Sequence, residues 1–166
     1  KHWSRGLGDV YKRQECIWDN EGSPYRISPS GDFLSVSGGD LTIEPGTVIQ
    51  VEQGKGISVD GTCDSVKASG NSTHHILFEG QNGAEWKGLS FTDDCATTGG
   101  TDDRHVFSYV DFKNTSTAAI SAGSRHGDYN AYCADSSGGT RPCYSNNNVG
   151  NFTLSHVTFT NVETAI

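Results

Sequence analysis

Residues 108–114 read Ser-Tyr-Val-Asp-Phe-Lys-Asn and residues 155–161 read Ser-His-Val-Thr-Phe-Thr-Asn, so Ser, Val, Phe and Asn coincide at an offset of 47. Ala119-Ile120 and Ala165-Ile166 then coincide at an offset of 46, one residue having been lost between. Recurrence of this kind is what a stack of repeating layers demands, because each layer must present the same inward residues to its neighbours. Within the repeat, period-2 alternation sends Val110, Phe112, Val157 and Phe159 to one side. Asn114 and Asn161 fall where a corner is expected, since Asn tolerates left-handed backbone angles and hydrogen-bonds locally. On the same alternation, Tyr109 and His156 read as outward strand positions.

The remaining chain agrees with short strands between turns. Runs such as Phe33–Val36, Leu41–Ile43, Thr47–Val51, Ile57–Val59, His75–Phe78, Trp86–Phe91, His105–Phe112 and Phe152–Phe159 are separated by Gly, Pro, Asn and Asp. No stretch carries a helical apolar stripe. Hydrophobic residues make up 33% of the 166, Gly numbers 21 and Met is absent, a composition that disfavours a compact α/β enzyme. Recurrent clusters of Val, Ile, Phe, Tyr and Trp disfavour disorder. The expectation is an all-β chain with one domain's worth of core. A net charge of −8 speaks against nucleic acid or an anionic membrane as partner. No apolar run reaches membrane-spanning length, so membrane insertion is not expected; a monomer is.

Residues 1–14 differ in composition from the rest of the chain. They hold four basic residues, Lys1, Arg5, Lys12 and Arg13, against Asp9. The segment Gly6–Gln14 resembles a translated sequencing adapter, the alternative being a basic arm, and it is set apart from fold reasoning. The domain is expected over 15–166, incomplete at its C-terminus, with a loop insertion at 121–150. Of the five cysteines, Cys133 and Cys143 bracket a Gly/Ser/Pro-rich loop, which suits a loop-closing disulfide. Cys63 and Cys95 occupy turn-like stretches and could pair between layers, leaving Cys16 odd; the alternative is five buried free thiols. Disulfides imply an oxidising compartment.

The segments Leu41–Ile49 (LTIEPGTVI), Gly56–Gly61 (GISVDG), Ile76–Phe78 (ILF) and Glu85–Phe91 (EWKGLSF) resemble successive layers of the right-handed parallel β-helix repeat family, the pectate-lyase-like superfold. The resemblance covers roughly residues 25–166 and is specific for fold. It is unspecific for function, because one architecture hosts many activities. It implies a secreted or cell-surface protein.

Polysaccharide lyases of this superfold use acidic ligands for Ca²⁺ and a basic residue as proton acceptor, which makes Asp93 and Asp94 the candidate metal ligands. Inverting hydrolases need paired acids, and Asp102-Asp103 with Arg125-His126-Gly127 resembles two of their motif elements, giving Asp102, Asp103 and His126 as candidate catalytic residues. An Asn-x-Asp element upstream and an Arg-x-Lys element downstream are both missing. Tyr129, Tyr132 and Tyr144 stand beside Asn130 and Asn146–Asn148 in the insertion, a mixture of rings and amides suited to sugar binding; the alternative is an ordinary cross-linked loop. Trp86 reads as a packing residue. Sequons occur at Asn71, Asn114 and Asn151. A flat Thr ladder is broken, since Thr158 and Thr160 face Asp111 and Lys113 one repeat earlier. The favoured expectation is a protein that binds polysaccharide or cell-surface glycan, adheres or serves as a scaffold, with no required cofactor. The alternative is a lyase or glycoside hydrolase of the same superfold.

Overall fold

The computed structural model describes residues 16–60, 65–91, 105–122, 131–134, 140–143 and 152–166, with backbone alone for 122, 131–134 and 140–143. Its strands are β1 (Cys16–Trp18), β2 (Tyr25–Ile27), β3 (Phe33–Val36), β4 (Leu41–Ile43), β5 (Val48–Val51), β6 (Gly56–Val59) and β7 (Val66–Ser69). There follow β8 (Ile76–Gly80), β9 (Leu89–Phe91), β10 (His105–Ala118), β11 (Ile120–Ala122), β12 (Ala131–Ala134), β13 (Thr140–Cys143) and β14 (Phe152–Thr164). The described helical content is one 3₁₀ turn, Gln81–Gly83. The all-β expectation therefore holds, and every described pairing between these strands is parallel except β12 with β13.

The chain runs in circuits of three strands. Strands β1, β4, β7 and the first halves of β10 and β14 make one face. Strands β2, β5, β8 and the second halves of β10 and β14 make the next, and β3, β6, β9 and β11 the third. Each circuit hydrogen-bonds to the one before it, so adjacent strands lie about 4.8 Å apart. Strands β1, β2 and β7 are not among the runs named from sequence, nor are β12 and β13 in the insertion; in β7, Val66-Lys-Ala-Ser69 has only one large apolar residue. Its backbone pairing to β4 and β10 supplies what its side chains do not.

Register stacks like on like inside. Leu34, Ile57, Leu89 and Ile120 align on the third face, and Ile49, Phe78, Phe112 and Phe159 on the second. The rings of Phe78 and Phe112 stack at 5.1 Å and those of Phe112 and Phe159 at 5.6 Å. Trp86 is fully buried beside Phe78. It donates its indole N–H to the Lys113 carbonyl at 2.8 Å, as a buried Trp must find an acceptor.

Partners on the first face are 25 residues apart early in the chain and 39, then 47, later, because more residues intervene between successive strands. The offset of 47 is thus one circuit plus its insertion. That insertion, expected from sequence as a loop bracketed by Cys133 and Cys143, contains an antiparallel hairpin, β12–β13, with Tyr132 bridging to Thr153.

Tyr109 and His156 are not ordinary strand positions. Both have positive φ, 51° and 52°, and each is a one-residue corner within a long bent strand. Phe107 and Val110 both point inward, a spacing of three that strict alternation forbids; the left-handed residue between them resets the phase. Asn114 (φ 59°) and Asn161 (φ 53°) do the same one corner on. Their side chains form a ladder, Asn161 Nδ2 donating to Asn114 Oδ1 at 3.2 Å. Asn114→Ala is expected to cost about 1–2 kcal/mol for the left-handed backbone alone, plus a further ~1 kcal/mol for the lost ladder bond. Asn114→Gly should lose only the latter. Urea unfolding with an unchanged m-value reads both.

Candidate functional site

The residues nominated from sequence fall almost wholly outside the described residues. This holds for Asp93, Asp94, Asp102, Asp103, His126, Tyr129, Asn130, Tyr144, Cys63 and Cys95. Tyr132, Cys133 and Cys143 are placed by backbone only: Cys133 is opposite Arg141, and Cys143 opposite Ala131. Cys16 is a free, exposed thiol. Desolvation raises its pKa, opposed by a hydrogen bond involving Trp18, the direction that disfavours the thiolate.

What the described residues do assemble is a polar row at the corner between the first and second faces. Its members are His75 from the third circuit, Tyr109 and Asp111 from the fourth, and His156 and Thr158 from the fifth. The corner geometry creates it. Because Tyr109 and His156 occupy equivalent one-residue bends, their rings are superposed at 4.3 Å and 6°. His75 is tilted against the Tyr109 ring at 5.5 Å. Such ring contacts contribute about 0.5–1.5 kcal/mol beyond burial, which offsets the left-handed backbone of two residues that rarely adopt it. Backbone outliers of this kind concentrate at functional sites.

Beside the rings, Asp111 is flanked on both sides. His75 Nδ1 lies 3.2 Å from Asp111 Oδ2, and Thr158 donates its hydroxyl to Asp111 Oδ1. The side chains of His75 and Asp111 are 37% and 25% exposed, so both reach solvent. The carboxylate occupies the middle position, bonded to a hydroxyl on one side and an imidazole on the other. Nucleophilic catalysis needs the imidazole to touch the hydroxyl, and here it does not. Among the described residues no group of three or more His, Cys, Asp or Glu could hold a metal ion. The row can donate and accept hydrogen bonds, and it offers the exposed imidazole of His156. No family model, curated protein or solved structure matches the chain.

Sequence reasoning passed over this row because its histidines look scattered. The signal was present in the three-residue steps Phe107 to Val110 and Leu154 to Val157, which mark Tyr109 and His156 as corner residues.

Other outward surfaces are plainer. Ser35, Ser58, Ser90 and Ser121 align on the third face. On the second face Arg26, Gln50 and Glu79 align, and Gln50 donates to Glu79 at 2.9 Å. Asp32 is bonded by Lys87 at 2.8 Å, with Lys55 at 4.0 Å. The Lys87 hydrogen bond and charge hold the Asp32 carboxyl below its ordinary range. A cluster this exposed is screened by solvent and salt and adds little to stability.

Proposed function

We propose that the chain is part of a right-handed parallel β-helix from a secreted or cell-surface protein, and that it binds polysaccharide through the corner row of His75, Tyr109, Asp111, His156 and Thr158. The three-strand circuits, parallel register and single-residue corners support the β-helix reading. One observation carries the binding reading: equivalent positions in successive circuits present rings and hydrogen-bonding groups at a repeat fixed by strand spacing. A surface with a regular repeat complements a ligand with one, and an extended polymer of hydroxyl-bearing rings is such a ligand. The carboxylate of Asp111 accepts hydrogen bonds from hydroxyls, and the imidazole and phenol edges donate or accept them. No cofactor is needed for this role. The net charge of −8 favours neutral over acidic glycans, which it would repel.

The test is affinity electrophoresis in gels carrying soluble neutral and acidic glycans, comparing the wild-type chain with Tyr109→Asn/His156→Asn. Asparagine keeps the left-handed corner, as Asn114 and Asn161 show, while removing the rings. At least a tenfold loss of affinity for a retarding glycan is expected, about 1.4 kcal/mol. Equal retardation of the variant, or no retardation on any glycan, would overturn the reading. Release of new reducing ends would instead favour the lyase or hydrolase alternative, with Asp102, Asp103 and His126 as the first residues to substitute and Ca²⁺ against chelator as the comparison.

A further inference from the structure

Two sequons, Asn71-Ser72-Thr73 and Asn114-Thr115-Ser116, lie within the described residues, and the fold treats them in opposite ways. Transfer of a glycan to a folded chain needs the asparagine amide nitrogen and the sequon around it open to the transferase. At Asn71 this is met, since Asn71, Ser72 and Thr73 are all exposed. The residue is exposed in a tight turn, with the backbone N–H of His74 donating to the Asn71 carbonyl at 3.2 Å and that of Asn71 to the His74 carbonyl at 3.1 Å. Its side-chain oxygen accepts from the Thr73 hydroxyl at 2.8 Å, the Thr73 N–H at 3.0 Å and the His74 N–H at 2.9 Å. With every one of these bonds made to the oxygen, Nδ2 is left without a partner among the described residues.

At Asn114 it is not. The sequon lies inside strand β10, with Asn114 half-buried at a left-handed corner and Thr115 buried, and the Asn114 oxygen accepts from Asn161. The Ser116 hydroxyl points away from it, donating to the Trp86 carbonyl one circuit earlier at 3.3 Å. A transferase could reach Asn114 only by pulling a paired strand out of the sheet; a glycan on Asn71 would project into solvent.

We infer that Asn71 is an N-glycan acceptor and that Asn114 is not. The donor class is an oligosaccharide carried on a polyprenyl diphosphate. A bond forms between the Asn71 Nδ2 and the anomeric carbon, and the bond from that carbon to the diphosphate oxygen breaks. One amide proton passes to the transferase, the polyprenyl diphosphate departs, and nothing is oxidised or reduced. The inference does not depend on the polysaccharide-binding reading.

The folded chain, incubated with a purified single-subunit oligosaccharyltransferase and its lipid-linked donor, should gain a glycan on the peptide containing Asn71. Peptide mass mapping before and after enzymatic glycan release reads this. Asn71→Gln and Thr73→Ala should abolish that modification, Thr73→Ser should retain it, and Asn114→Gln should leave it unchanged. All these positions are at the surface or in a corner, and urea unfolding confirms that each variant is folded. An unmodified Asn71 peptide in the folded wild-type chain, or equal occupancy at Asn114, would overturn the assignment.

Discussion

Phe112→Ala is expected to lower the unfolding free energy by about 3–5 kcal/mol, as for large aromatic truncations in tight cores. Phe112 is fully buried and is the middle ring of a three-circuit stack, with Phe78 on one side, Phe159 on the other and Phe107 tilted against it at 6.0 Å. Its loss removes transfer free energy and leaves a cavity that fixed circuits above and below cannot close. In a stack where each layer touches only its neighbours, a break in the middle also weakens coupling between the two ends. Urea unfolding should therefore show a lower midpoint and a shallower slope than wild type. Thr160→Ala, on the outer surface of the same face, should stay within about 0.5 kcal/mol. A change below about 1 kcal/mol in Phe112→Ala would mean that the rings are not stacked as described.

Gly88→Ala is expected to be comparably damaging, at about 2–5 kcal/mol, through a different cause. Gly88 has φ +79°, and a Cβ there would run into the carbonyl oxygen of Ala118 and come within 2.9 Å of that of Ala119. Neither carbonyl can retreat easily. The Ala119 oxygen accepts from the Leu89 N–H at 2.9 Å, while the Gly88 carbonyl is bonded to the Ile57 N–H at 3.2 Å. Three circuits meet at this point, so movement in one breaks bonds to the next. The total combines a left-handed backbone, about 1–2 kcal/mol, with overpacking of about 1–3 kcal/mol. Gly46→Ala separates the two. Gly46 also has positive φ, +84°, but the nearest atom to a Cβ there is 3.7 Å away, so only the backbone contribution should appear. Equal losses at both positions would show that contact between circuits is not what excludes a side chain at Gly88.

The polar row shows where local reading stops. His75 and Asp111 are 36 residues apart and Asp111 and Thr158 are 47 apart. Those distances include insertions of different length, so no fixed period brings the three together on paper. Compositional reading was drawn instead to acidic and Tyr-rich loops, where chemistry-bearing residues are dense in sequence. The row is sparse in sequence and dense only in space.

The sequence by itself determined the stacked, all-β character of the chain, the inward residues Val110, Phe112, Val157 and Phe159, and the corner asparagines. These follow from alternation and from the conformational freedom of Asn, both properties of a few consecutive residues. Only the tertiary structure decided that Tyr109 and His156 turn corners, that Val66–Ser69 is a strand, and that one sequon is exposed while the other is held within the sheet. Each depends on what the neighbouring circuit supplies: a stacked ring, a row of backbone partners, or an amide one layer away. Register between circuits sets these contacts, and register is fixed by the summed packing of every layer rather than by any local stretch.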